Sequence, residues 1–142
     1  MTNETFRLTV IRKESFNSAH RLNNPNLSEK ENERLYGKCN YPNYHGHNYE
    51  LEVHVTGEID PLTGYVIDLK VLSEIIKSEV TYKFDHKNLN LDIPEFKELN
   101  PTAENIVYVI YSSIRAKLDN KYDLKIVLHE TEKNSVVYPA LV

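Results

Sequence analysis

Glycine is scarce in this chain of 142 residues: four occur, at positions 37, 46, 57 and 64. They lie too far apart for a G-x-G-x-x-G turn or a P-loop, so dinucleotide-dependent and nucleotide-cradling mechanisms lose their usual sequence basis. Cysteine is scarcer still, and a lone Cys39 cannot form an internal disulfide. Residues 1–13 lack the basic, apolar and small-residue sections of a secretory signal, which makes the expected location cytoplasmic. No apolar run approaches the roughly 18 residues of a membrane span. Positive charge is not in excess either. Lys and Arg number 17 against 21 Asp and Glu, a net −4 that offers no global field to a nucleic-acid backbone or an anionic membrane. The 40% of apolar residues suffices for one modest core, and at about 150 residues per domain the whole of 1–142 reads as a single domain.

Periodicity supplies the elements. Phe6, Leu8 and Val10 alternate with polar residues, as do Tyr49, Leu51, Val53 and Val55, so both stretches read as half-buried strands. A turn cluster at 57–64 ends the second. Asp68 is then a candidate N-cap for a helix carrying Leu69, Leu72, Ile75, Ile76 and Val80. Asn100-Pro101 reads as the cap and first residue of another, with Ile106, Ile110, Ile114 and Leu118 behind it. Leu124, Ile126 and Leu128 alternate again, and Val136-Val137-Tyr138 forms the second arm of an expected hairpin. Residues 23–38 are polar and irregular, with one helical turn around 29–35. Strands and helices segregated in this order favour an α+β fold, with helices packed on an antiparallel sheet.

The chemistry gathers around histidine. His45 and His47 lead into the second strand two residues apart, so both imidazoles point to one face, at the parity of Tyr49, Leu51 and Val53. Unpaired imidazoles on an apolar face are costly, and a bound metal would satisfy them. His20 shares the parity of Val10, Phe16 and Ser18, and can supply a third nitrogen from a neighbouring strand if no bulge intervenes. Three neutral imidazoles with one open position describe a catalytic Zn²⁺ site. The competing reading is ordinary hydrogen-bonded or surface histidines, which is also how His54 and His129 are taken. Cys39, six residues before His45, either approaches the metal or is an inert thiol. In the pair Asp85-His86, a carboxylate beside an imidazole can orient it and raise its basicity. Glu130 continues the parity of Leu124, Ile126 and Leu128; it either meets an N–H-rich heterocycle through two parallel hydrogen bonds or frays into solvent after His129.

The motifs Phe16-Asn-Ser-Ala-His20, Gly37-Lys-Cys39, His45-Gly-His47-Asn-Tyr49, Gly57-Glu-Ile-Asp-Pro-Leu-Thr-Gly64, Phe84-Asp85-His86-Lys-Asn-Leu89, Pro101-Thr-Ala-Glu104-Asn105 and His129-Glu130 occur in this order across nearly the whole chain. Together they resemble the 6-pyruvoyl-tetrahydropterin synthase family. The resemblance implies that His20, His45 and His47 bind zinc, that Cys39 is the general base, and that Asp85 and His86 relay protons for it. It also implies that Glu130 anchors the pterin ring and that Thr102 and Glu104 line its pocket. The family substrate is 7,8-dihydroneopterin triphosphate, from which triphosphate is eliminated with internal redox and no external redox cofactor. The implied fold is a four-stranded antiparallel sheet with two helices on one face, the tunnelling fold. Its subunits close into barrels and stack as a homohexamer, with the pocket between subunits. Three residues depart from the common pattern: Tyr65 stands where many members carry methionine, Ala103 where some have threonine, and Tyr44 where a smaller residue is frequent.

Two rivals remain at this level. One is 6-carboxy-tetrahydropterin synthase, the related enzyme of deazapurine synthesis; five residues between Cys39 and His45, instead of its usual three, favour the pyruvoyl enzyme. The other is a non-catalytic zinc-binding module in which Cys39 closes a His₃Cys site.

Overall fold

The computed structural model describes residues 6–141, so the first five residues of the 1–13 segment lie outside the described residues. Its frame is a pair of long strands, β1 (Arg7–His20) and β2 (His45–Glu58). They run antiparallel through fourteen consecutive pairs, from Arg7 opposite Glu58 to His20 opposite His45, with no bulge. On the far side of β2 lies β4 (Asp123–His129), followed by β5 (Ser135–Tyr138) as the expected antiparallel hairpin. A two-residue strand β3 (Lys87–Asn88) joins the other edge, parallel to β1 at Ser18 and Ala19. The sheet order is β3-β1-β2-β4-β5. This corrects the expected four-stranded antiparallel sheet: five strands are present, the pairing is mixed, and the sheet is open. Two residues are too few to show any alternation, so β3 leaves no periodic signal.

One face of the sheet is apolar, as the alternation requires. Phe16, Tyr49, Leu51, Val53, Val55, Ile126 and Leu128 are buried there under the two main helices. The first, α2 (Leu69–Ile76), is capped by Asp68, whose carboxylate accepts from the Lys70 amide at 2.8 Å. It continues through a π-helical turn at Lys77–Thr81 into α3 (Tyr82–Phe84). Leu72, Ile76, Val80 and Phe84 recur every fourth residue and are buried, whereas Leu69, expected on this stripe, is exposed. After β3 come the short α4 (Leu89–Asp92), a 3₁₀ turn at Pro94–Phe96, and the second main helix, α5 (Ala103–Lys117). The buried stripe Ile106, Ile110, Ile114 and Leu118 is as expected.

The cap of α5 is not. Thr102, rather than Asn100, is the N-cap, its hydroxyl accepting from the Asn105 amide at 3.1 Å. Asn100 is committed elsewhere, receiving the Asn23 amide at 3.2 Å and donating to the Tyr36 hydroxyl at 3.2 Å. Pro101 therefore precedes the helix instead of opening it. The expected single turn in the irregular segment is a two-turn helix, α1 (Glu29–Tyr36), held by a reciprocal Ser28–Glu31 capping box. A 3₁₀ turn at Gly37–Asn40 carries Cys39 back towards the end of β1, where the Leu22 amide donates to the Cys39 carbonyl at 2.8 Å. Among the described residues no helix is long and apolar enough to cross a membrane.

Candidate active site

The histidine face follows from register. His20 and His45 are direct partners across β1 and β2, and His47 projects from the same face two residues on. Ring centroids lie 4.6 Å apart for His20–His45, 5.2 Å for His20–His47 and 5.0 Å for His45–His47. One nitrogen from each falls within 4.8 Å of the others. A backbone carbonyl selects the tautomer of His20. Its Nδ1 lies 2.8 Å from the Pro101 carbonyl oxygen, which can only accept, so Nδ1 carries the proton and Nε2 presents a lone pair. That Nε2 is buried and, among the described residues, has no hydrogen-bond partner, and neither has His45 Nδ1. Burial pushes the His20 pKa down to about 4, against the opposing bond to Pro101 and with added repulsion from His45 and His47. Burial likewise lowers His45. Both rings are thus neutral at physiological pH, the state a metal requires of imidazole. Two orphaned buried nitrogens are expensive, and a metal ion held by His20, His45 and His47 would remove that cost.

Glu130 and Tyr49 complete the neighbourhood. The β4 ladder ends at His129, as the fraying alternative held, yet the Glu130 side chain stays largely covered, with a carboxylate oxygen 3.9 Å from His20 Nε2. Tyr49 lies beyond His47 on the same face, its ring centroid 5.6 Å from that of His47 and stacked on Phe16 at 4.9 Å. Its hydroxyl is buried and unpartnered. Burial, reinforced by the negative charge of Glu130, holds its pKa well above the ordinary phenol range, so the hydroxyl remains a neutral donor.

The remaining candidates occupy separate loops. Cys39 is a half-buried free thiol and is not among the atoms that converge on the triad. Asp85 and His86 do form a pair, His86 Nδ1 donating to Asp85 at 2.9 Å. The Asn17 amide donates to Asp85 at 2.8 Å, and the His86 amide donates to the Asn17 carbonyl at 2.6 Å. These bonds lock the pair to the edge of β1, and they lower the Asp85 pKa, the Asn17 amide most and His86 next. Among the described residues no hydrogen bond joins Cys39 to this pair. Thr102 spends its hydroxyl on capping α5, and Glu104 is exposed on the first turn. On the uncovered face of the sheet, His54 and His129 both donate to Glu52, at 3.0 and 2.6 Å, which agrees with reading them as hydrogen-bonded histidines.

The family description "6-pyruvoyl tetrahydropterin synthase" matches residues 9–140. The chain belongs to that family. It is 45% identical over 133 residues to the 6-pyruvoyl tetrahydrobiopterin synthase of Dictyostelium discoideum, covering 92% of this chain and 96% of the relative. It is 43% identical over 129 residues to the Homo sapiens protein of the same name, covering 91% and 89%. The solved structure of Caenorhabditis elegans 6-pyruvoyl tetrahydropterin synthase superposes with a TM-score of 0.90 at 36% identity, covering 98% of this chain and 99% of that one.

As a member of this enzyme family the chain brings together His20, His45, His47 and Glu130, and separately Asp85 with His86. Among the described residues Cys39 is neither one of the converging ligand atoms nor hydrogen-bonded to either group. Two contributors escaped sequence reasoning. Pro101 was read as a helix start, whereas its carbonyl fixes the His20 tautomer. Tyr49 was read as an apolar strand residue, although its place two positions after His47, at equal parity, could have flagged its hydroxyl.

Proposed function

We propose that this chain is a zinc-dependent 6-pyruvoyl-tetrahydropterin synthase that works as one domain spanning 1–142. It eliminates triphosphate from 7,8-dihydroneopterin triphosphate and, by internal redox, yields 6-pyruvoyl-tetrahydropterin. The observation that carries this reading is the convergence of three imidazoles, two of them with buried, partnerless nitrogens, beside a carboxylate, in a chain of this family. His20, His45 and His47 hold the zinc, an ion suited to three neutral nitrogens with a position left open. Bound there, zinc acts as a Lewis acid on the substrate's side-chain oxygens and lowers the cost of removing the neighbouring carbon-bound proton.

The protein's own groups do the rest. Glu130 accepts two parallel N–H bonds from the pterin ring and so fixes the side chain over the triad. Thr102 and Glu104, at the head of α5, line the ring's edge. Cys39 accepts the carbon-bound proton as thiolate, and the Asp85–His86 pair passes protons to and from it. Cys39 lies in the turn Gly37–Asn40 and the pair in another loop, with no hydrogen bond between them among the described residues, which suits an assembly in which subunits share the pocket. Trimers closing their sheets into a barrel, two stacked as a homohexamer, would also cover the short edges offered by β3 and β5. The uncovered sheet face, with Lys13, Glu50, Glu52, His54, Lys125 and His129, suits a wet barrel lumen better than a dry interface.

The decisive experiment incubates the zinc-loaded protein with 7,8-dihydroneopterin triphosphate and identifies products by mass. Released triphosphate with the 6-pyruvoyl product is expected. A carboxylated pterin accompanied by acetaldehyde would reassign the chain to the carboxy enzyme.

A further inference from the structure

We propose that Tyr49 is a positioning residue for Glu130: its buried hydroxyl is the donor that holds the carboxylate once the histidine triad is metal-loaded. The proposal rests on the functional reading above, in which Glu130 takes the pterin. Tyr49 is fully buried, and its hydroxyl has no partner. A buried hydroxyl left unmet is costly, and phenylalanine would fill the same space without that cost. On one side the ring is clamped by stacking on Phe16, its direct partner across β1. On the other, the β2–β4 ladder ends with Glu50 opposite His129, and Tyr49 and Glu130 are the next residues of the two segments beyond that last pair.

The Glu130 carboxylate is equally unmet. Among the described residues no hydrogen bond reaches it, and the basic nitrogen found within 4 Å of it is His20 Nε2, at 3.9 Å. That nitrogen has no proton to give, because Nδ1 holds it against the Pro101 carbonyl. Loading the triad with metal commits the Nε2 lone pair and removes His20 as a partner altogether. A donor without an acceptor on β2 and an acceptor without a donor just past the end of β4 then remain beside the same triad. Joining them occupies one carboxylate oxygen from below and presents the rest of the carboxylate to the amino and ring N–H groups of a pterin.

The test uses zinc-loaded wild type, Tyr49→Phe, Glu130→Gln and the double variant. Zinc content, melting temperature, KM, kcat and the affinity for neopterin, read by quenching of pterin fluorescence, are measured for each. Tyr49→Phe should weaken neopterin binding and raise KM roughly tenfold, as expected for one lost bond to a charged group. Zinc content should stay full, kcat should change little, and the melting temperature should hold or rise. In the Glu130→Gln background the same change should have almost no further effect. Unchanged neopterin affinity in Tyr49→Phe overturns the proposal, and so does an equal loss with and without Glu130. A crystal structure of the zinc-loaded protein tests the contact apart from any activity: Tyr49 Oη should lie about 3 Å from a Glu130 oxygen, and a separation beyond hydrogen-bond reach overturns it. If wild type neither binds neopterin nor turns over while that contact is present, the functional reading fails and the positioning contact stands.

Discussion

His20 shows how a single side chain can be tuned by one backbone atom. The Pro101 carbonyl sets its tautomer, and burial sets its charge. Its pKa falls from 6.5 to about 4 on folding, so the unfolded chain takes up the proton first as the solution is acidified. The stability contributed by the neutral ring is therefore complete above about pH 6.5 and is lost progressively towards pH 4, up to roughly 3 kcal/mol. Urea unfolding of metal-free protein should show this decline between pH 7.5 and 4.5, with His45 adding in the same direction; a flat profile would mean that His20 is not buried neutral. Cys39 makes the contrasting case. Because its sulfur does not join the triad, Cys39→Ala should keep one zinc per chain while triphosphate release falls by two or more orders of magnitude. Loss of zinc with the thiol would instead favour the closed His₃Cys module.

Among the elements, α5 links stability to the site. Its cap, Thr102, immediately follows the residue whose carbonyl grips His20. Thr102→Ala should cost about 1 kcal/mol in chemical denaturation and weaken zinc retention against a chelator, whereas Thr102→Ser should restore both. Equal zinc retention in the alanine variant would show that Pro101 is held without the cap. The elements that were legible in the sequence are those with periodicity. The alternation of Leu124, Ile126 and Leu128 and the fourfold spacing of Ile106, Ile110, Ile114 and Leu118 read directly as strand and helix. The triad was legible for the same reason, since His20, His45 and His47 share the parity of buried neighbours. Asn100-Pro101 misled because either Asn100 or Thr102 can cap a helix, and only the tertiary bonds of Asn100 to Asn23 and Tyr36 decide between them. The place of Cys39 relative to Asp85 and His86 was not legible, because loops carry no period from which a distance could be read.

At the scale of the whole molecule, one chain offers a histidine triad and a carboxylate, with its proposed base and its proposed relay on separate loops that no hydrogen bond joins among the described residues. Activity should therefore depend on assembly. Light scattering at assay concentration should report six copies, and dilution into the dissociated range should abolish turnover while each chain keeps its zinc. Full turnover by an isolated subunit would rule out a shared pocket.

The unbroken pairing of β1 with β2 also makes strand length, rather than composition, the quantity that fixes the histidine triad. Thirteen steps along the ladder separate the Arg7–Glu58 rung from the rung that joins His20 to His45. Deleting one residue near Val10 would leave every ligand in the sequence, but if the far end kept its pairing, His20 would turn to the wet side of the sheet. A strand shortened or lengthened by two would restore the facing direction and miss its partner by one full pleat.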